Sequence, residues 1–429
     1  MEIKSLYQKY LSSGKVSTDT REIIPGSVFF ALKGPHFNAN TFAEEALQRG
    51  ASYAVVDEVE FVKNSKYVLV DDTLTALQQL ARYHREQLRI PVLGLTGSNG
   101  KTTTKELIHA VLNKKFKTFS TRGNLNNHIG VPLTLLAIDS TIEIAVVEMG
   151  ANHLGEIASL CEWANPTHGF ITNIGKAHIG PFGGFENIVR AKSELYQHLL
   201  THSGTVFVNS QNPILSNMAK RFDNPFFYPA PGDYYHCELI GANPFVRVRT
   251  ENNDELTTQL IGDYNFENIA AALCIGKYFG VAASQANEAV ACYEPGNMRS
   301  QVIQKGTNVV ILDAYNANPS SMEAAIDNFS KIDAVRKVAV LGDMYELGPE
   351  SAVEHKRLGK ILFEKGIKEV YLCGVAIQAA LETYPSARYF ARREDLIQTL
   401  QKEKIQHATV LVKASRGMGL EKIIEAIGQ

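Results

Sequence analysis

Residues 94–104 read GLTGSNGKTTT. The preceding PVLGL (91–95) is short, apolar and strand-like. The following KELIHAVLN (105–113) places Leu107, Val111 and Leu112 on one helical stripe. A strand, a tight glycine turn and a helix form the setting a phosphate-binding loop needs. Gly97 and Gly100 allow a positive φ and bring backbone N–H groups close to an anion. A helix starting near Lys101 adds unpaired N–H groups and the positive end of its dipole. Lys101 offers a cation for terminal phosphates, and Thr102 a hydroxyl for Mg²⁺. The spacing departs from the commoner pattern: five positions before Gly100 stands Leu95, and the glycine is Gly94. The stretch is a tighter TGxxGKT loop.

The chain around this loop has 429 residues, room for roughly two to four domains at about 100–200 residues each. Lys and Arg number 43 against 45 Asp and Glu, a net charge of −2, which argues against a general nucleic-acid footprint. The five cysteines (Cys161, Cys237, Cys274, Cys292 and Cys373) are scattered and form no CxxC. A reducing compartment is expected, without a disulfide framework or structural zinc. The opening MEIKSLYQKYLSSG lacks the apolar core of a signal peptide. No apolar run approaches the roughly 18–20 residues of a membrane span. These features predict a soluble, cytoplasmic protein.

Outward from the loop, VLGLT, IEIAVVEM (142–149), HGFITNI (168–174) and TVFVN (205–209) are apolar and β-branched, with helical stretches between them. Buried parallel strands have this composition, so residues 89–294 are expected to form an α/β unit with a doubly wound sheet. Within it, FVRVRT (245–250) and LTTQLIG (256–262) alternate and suggest an antiparallel addition, and 264–279 reads as a helix. Residues 1–88 form a smaller α/β unit, with strands at 28–32, 51–56 and 67–70 and helices at 42–50 and 73–88. Residues 295–429 form a third, Rossmann-like unit with parallel strands at 309–313, 337–342, 369–373 and 409–413. Its helices include SSMEAAIDNFSKI and the final GLEKIIEAIG. GMG (417–419) follows the last of these strands, but Lys422 occupies the third glycine position of a dinucleotide fingerprint. A nicotinamide site is rejected.

Four positions beyond the loop carry possible chemistry. Glu148 closes a strand of the sheet that bears the phosphate loop, where a magnesium ligand belongs; the alternative is a strand-end acid at the surface. His178 lies in the glycine-rich NIGKAHIGPFGG after another strand; it can ligate a metal or remain a solvated loop histidine. Lys192 sits on the apolar stripe of Ile188, Leu195 and Leu199, where a lysine is costly unless its head escapes or is chemically changed. Asp313 closes VVILD and precedes AYNANP, whose residues offer a ring, two amides and a helix cap before Pro319.

In series these motifs resemble the Mur ligases, ATP-dependent amide-forming enzymes of peptidoglycan precursor synthesis. TGSNGKTTT, VVEMGANHLGEI, TNIGKAHIG, VRAKSELY, GDYNFENIAAA, PGNMRS and DAYNANPSSM follow in the family's order over nearly the whole chain. DAYNANP with LGDMYELG, and TREIIPGSVFFALKGPHFNANTF at the start, resemble the member that adds D-alanyl-D-alanine to UDP-N-acetylmuramoyl-tripeptide.

The resemblance implies an acyl-phosphate reaction with ATP and two Mg²⁺ ions, carried out by a monomer. Thr96, Gly97, Ser98, Asn99, Gly100, Lys101, Thr102 and Thr103 would cradle ATP. Asn268 would meet adenine, and Arg299 and Asp313 would reach the phosphates and ribose. Thr102 and Glu148 would hold one Mg²⁺; Glu148, His178 and a carbamylated Lys192 would hold a second. Lys101, His178, Lys192 and Arg299 form the implied catalytic set. Thr20, Arg21, Gly34 and Asn40 would hold the UDP end, Asn126 and Asn127 the muramoyl peptide, and Asn316 and Asn318 the dipeptide. Two rivals remain at this point. One is an amide ligase like folylpolyglutamate synthase, against which the FALKGPHFNAN-bearing first unit argues. The other is a phosphate-loop ATPase that moves a partner.

Overall fold

The computed structural model describes residues 2–296 and 298–428. At its centre is a six-stranded, all-parallel sheet. Its spatial order is Phe226–Tyr228, Thr205–Asn209, His168–Ile171, Val92–Thr96, Ile144–Glu148, Thr118–Ser120. The strands alternate between two cores. Val92, Val147, Ile171 and Val206 face one, shared with the helices Thr73–Gln87, Glu156–Ala164 and Phe185–Thr201. Leu93, Leu95, Val146 and Phe170 face the other, shared with Lys101–Leu112 and Asn265–Tyr278. Both faces are therefore covered, as strands with apolar interiors on both sides require. The chain runs from Val92–Thr96 to one side of the sheet and later to the other. The crevice at the carboxyl ends of these strands is a topological switch point, where ligands of such sheets bind.

A four-stranded parallel sheet (Val16–Ser17, Val28–Phe30, Tyr53–Val56, Tyr67–Leu69) lies in the first part of the chain. The helix Thr73–Gln87 ties it to the central sheet. Arg85 Nε donates to Ala164 O at 2.8 Å and Nη2 to Asn165 O at 3.0 Å. A cation thus satisfies carbonyls at a helix C-terminus, where the dipole favours it. Buried Tyr10 donates to Leu136 O at 2.7 Å.

The third sheet runs Gln301–Lys305, Asn308–Asp313, Thr409–Lys413, Lys337–Gly342, Glu369–Cys373, Arg388–Phe390. The parallel reading of its apolar strands is right. It misses the antiparallel edge strand Gln301–Lys305, whose alternation is too polar to announce a buried strand. The last expected helix is 3₁₀ rather than α over Leu420–Ala426. The helix Ile3–Ser13 was not read from sequence. The expected antiparallel addition is a three-stranded sheet, Cys237–Ala242, Phe245–Thr250 and Glu255–Ile261. Among the described residues no helix is long and apolar enough to cross a membrane.

Candidate active site

A cavity of about 710 Å³ opens where the central and third sheets meet. The loop after Val92–Thr96 forms its floor. Gly97 has φ 147°, and a Cβ there would stand 1.9 Å from Thr172 Oγ1. Gly100 has φ 78°, and a Cβ there would stand 2.6 Å from Asn268 Oδ1. Both positions therefore exclude any side chain. The loop is pinned from beneath: Ser98 N donates to Asn173 O and Asn99 N to Asn173 Oδ1, both at 3.0 Å. The helix Lys101–Leu112 starts at once, so its first N–H groups face the cavity.

Lys101 Nζ lies back on the loop, donating to Gly97 O at 2.8 Å and Ser98 O at 3.3 Å. Burial lowers its pKa, opposed by Glu148 and aided by Arg299. Thr102 Oγ1 donates to Glu148 Oε2 at 3.0 Å, and Asn126 Nδ2 to Glu148 Oε1 at 2.8 Å. Asn126, expected at the peptide, is thus already bonded to the acid. Lys105 Nζ stands 3.8 Å from Glu148 Oε2, and burial lowers its pKa too. A buried carboxylate beside a hydroxyl and an amide is a hard oxygen-donor set, suited to Mg²⁺. Among the described residues no group of three or more His, Cys, Asp or Glu is ready to hold a metal. Mg²⁺ sites often complete themselves with phosphate oxygens and water, so Thr102 and Glu148 fit such an ion.

The third unit supplies the opposite wall. Arg299 stacks its guanidinium 3.9 Å over the Tyr315 ring. Asp313 accepts from Lys413 Nζ at 2.5 Å and from Ser300 N at 3.3 Å. Asn318 caps the helix Pro319–Lys331 with Oδ1 and donates Nδ2 to Asn99 Oδ1 at 2.8 Å. Both ends of its carboxamide are engaged, so the expected dipeptide contact would require releasing one. Asn316 Oδ1 accepts from Ala317 N at 2.9 Å. Asn127 Oδ1 accepts from Gly130 N at 2.9 Å. Asn268 accepts from Thr104 Oγ1 at 3.0 Å and donates to Asn265 Oδ1 at 2.8 Å, holding the phosphate-loop helix.

The cavity wall contains Ser98 to Thr103, Asn126, Asn127, Glu148, His178, Asn268, Arg299, Asp313, Asn316 and Asn318. Thr96 is buried at the strand end beneath it, with Oγ1 unpaired. Lys192 is not part of the wall. It is buried on the helix Phe185–Thr201, with Nζ 5.5 Å from the Phe182 ring centroid. Burial, then Lys101, lowers its pKa to about 7. Thr20, Arg21, Gly34 and Asn40 are not in the wall either. Arg21 pairs with Asp19 at 2.5 Å, Gly34 lies under the Phe37 ring, and Asn40 is buried against Asp57 at 2.7 Å.

Lys105, Asn265, Tyr264 and Lys413 were missed from sequence. Lys105 follows Lys101 by four positions and so shares its helix face. Lys413 closes the strand TVLVK as Asp313 closes VVILD. A charge ending a buried strand is the same sequence signal that marks Glu148 and Asp313.

Comparisons with known proteins agree with this architecture. The Mur ligase middle domain matches residues 95–276, and the Mur ligase, glutamate ligase domain matches residues 298–416. The chain belongs to the Mur ligase family. The UDP-N-acetylmuramoyl-tripeptide–D-alanyl-D-alanine ligase of Bacillus subtilis is 35% identical over 96% of this chain and 92% of its own. The enzyme of the same name from Escherichia coli is 33% identical over 96% and 93%. A MurF crystal structure from Acinetobacter baumannii superposes with a TM-score of 0.87 at 32% identity, covering 99% of this chain and 97% of that one. MurF ligase of Thermotoga maritima in complex with ADP gives 0.86 at 27% identity, covering 97% and 98%.

Proposed function

We propose that this chain joins D-alanyl-D-alanine to UDP-N-acetylmuramoyl-tripeptide at the expense of ATP, in peptidoglycan precursor synthesis. The observation that carries the reading is kinship along the whole chain, 35% identity over 96% of it, with an enzyme of that name. The cavity supports it, because a phosphate loop, Glu148 and a third-unit arginine line one space.

A carboxylate is a poor electrophile at neutral pH, so its oxygen first attacks the γ-phosphorus of ATP. The bond from that phosphorus to the β–γ bridging oxygen breaks, and ADP departs. The dipeptide amine then attacks the acyl carbon. The tetrahedral intermediate expels inorganic phosphate as the C–O bond breaks, and the amine proton passes to solvent or base. The chain's task is positioning and charge neutralisation. Residues 97–103 cradle the phosphates, through Lys101 and the free N–H groups that open the helix Lys101–Leu112; Asn268 holds adenine, and Arg299 and Asp313 the phosphates and ribose. Lys101 must leave its two carbonyl partners, which the triphosphate replaces. Mg²⁺ on Thr102 and Glu148 would neutralise phosphate charge.

Glu148, His178 and carbamylated Lys192 serve a second ion in this reading. Carbamylation needs the neutral amine: nitrogen bonds to the carbon of CO₂ and a proton leaves. A pKa near 7 keeps about half of the amine neutral at that pH. Residues 1–88 hold the UDP end through Thr20, Arg21, Gly34 and Asn40, 89–294 hold ATP, and 295–429 close the site. Asn127 faces the muramoyl peptide and Asn316 the dipeptide; Asn126 and Asn318 do so only on exchanging their present partners. On this reading the enzyme works in the cytoplasm as a monomer. ADP release with each substrate omitted in turn tests the reading.

A further inference from the structure

We propose that Glu346 is a positioning residue for His178, brought by the third unit so that the imidazole turns Nε2 toward the cavity. The inference rests on the reading of His178 as a metal ligand given above. His178 follows the strand His168–Ile171, while Glu346 follows the strand Lys337–Gly342 of the other sheet. Across the junction Glu346 Oε2 bonds His178 Nδ1. Gly180 N donates to the Glu346 carbonyl at 3.2 Å, fixing the same two loops through their backbones. Both residues have left-handed backbones, with φ 54° at His178 and 62° at Glu346. Non-glycine residues stay in that region only where their surroundings over-determine them, and they cluster at functional sites.

The contact has a chemical consequence. In a neutral imidazole, the hydrogen bond at one nitrogen decides which nitrogen carries the proton. A carboxylate at Nδ1 keeps the proton there and leaves the Nε2 lone pair for a metal. His178 lines the cavity and Glu346 does not, so the acid grips the ring from outside. Docking of the two units has other supports: Lys176 pairs with Glu354 at 2.7 Å, and Asn318 reaches Asn99 at 2.8 Å. A mere latch would duplicate them, and an ordinary exposed ion pair adds little stability. On this account, docking of the third unit and presentation of the His178 lone pair are one event.

Mn²⁺ binding to the full-length protein with saturating ADP, followed by electron paramagnetic resonance, tests the proposal apart from turnover. Glu346→Ala should weaken Mn²⁺ binding about 10–100-fold, the usual cost of removing a partner behind a metal ligand. Glu346→Gln should lie between, because its carboxamide oxygen still accepts from Nδ1–H. The double variant His178→Ala/Glu346→Ala should be no weaker than His178→Ala. Glu354→Gln, which breaks the neighbouring ion pair, should bind Mn²⁺ as the unaltered protein does. Wild-type binding in both Glu346 variants would overturn the proposal, as would additive losses in the double variant or an equal loss in Glu354→Gln. Wild-type binding in His178→Ala would overturn the metal reading and the positioning with it. If Glu346→Ala fails to fold, Glu346→Gln and its double variant with His178→Ala decide the matter.

Discussion

Lys413 Nζ lies 2.5 Å from Asp313 Oδ2, and the two residues are register partners at the ends of adjacent parallel strands. The pair closes the third sheet at the cavity wall. Buried Lys413 also donates to Asn316 O at 3.2 Å, so one ammonium fixes both the acid and the loop after it.

Lys413→Met should leave Asp313 at the cavity wall without its counter-charge. We expect kcat/KM for ATP to fall roughly 10²-fold, the scale of one lost preorganised contact. Asp313→Asn should cost a similar factor. Steady-state kinetics on both variants, with circular dichroism to establish folding, make the measurement. Wild-type kcat/KM in both would remove the third-unit wall from nucleotide binding.

Arg299→Ala should separate catalysis from stability. Its stacking on half-buried Tyr315 is worth about 0.5–2 kcal/mol, so Tm should fall by at most a few degrees. Turnover should drop by roughly 10²–10³ if the guanidinium meets transferring phosphate. A normal kcat would mean that Arg299 does not reach the phosphates.

Lys105→Met leaves Glu148 buried without its nearest ammonium. Breaking a buried pair from one side costs about 3–5 kcal/mol, so the metal-free variant should melt well below the unaltered protein. Adding ADP with Mg²⁺ should narrow the gap, because the ion supplies the missing positive charge. A gap that does not respond to Mg²⁺ would separate Glu148 from the metal.

The phosphate loop, Glu148 and the parallel sheets were legible because each rests on local pattern: glycine spacing, a strand-end acid, runs of β-branched residues. Lys192 was legible as an oddity because its neighbours Ile188 and Leu195 fixed the face it shares. Hidden were features that depend on which loops meet. Asn318 shows in sequence as a helix cap, but its bond to Asn99 needs the third unit docked on the phosphate loop of the central one. Glu346 lies far along the chain from His178, with no periodicity linking them. Lys105 and Lys413 differ: a lysine four positions after Lys101 on an apolar helix, and a lysine ending the buried strand TVLVK, are local patterns visible in the sequence.

Lys192 carries a test by charge and by pH. Lys192→Ala should be nearly inactive and partly rescued by acetate or formate, which can occupy the carbamate's place. Lys192→Arg should stay inactive, because guanidinium does not carbamylate. The lysine pKa falls from 10.5 to about 7 in the folded protein, so the unfolded chain binds more protons between those values. In CO₂-free buffer, stability attributable to this group should rise with pH across that window. The Tm advantage of Lys192→Met should therefore be constant below about pH 7 and shrink above it. An active Lys192→Arg enzyme would contradict the carbamate.

The most direct test is ADP release by the purified protein with Mg²⁺, ATP, UDP-N-acetylmuramoyl-tripeptide and D-alanyl-D-alanine, with each component omitted in turn. Tripeptides ending in lysine and in meso-diaminopimelate are run in parallel. The account predicts sustained turnover, and one equivalent of pentapeptide product per ADP, only when every component is present. Equal ATP turnover without the tripeptide or without the dipeptide would contradict it.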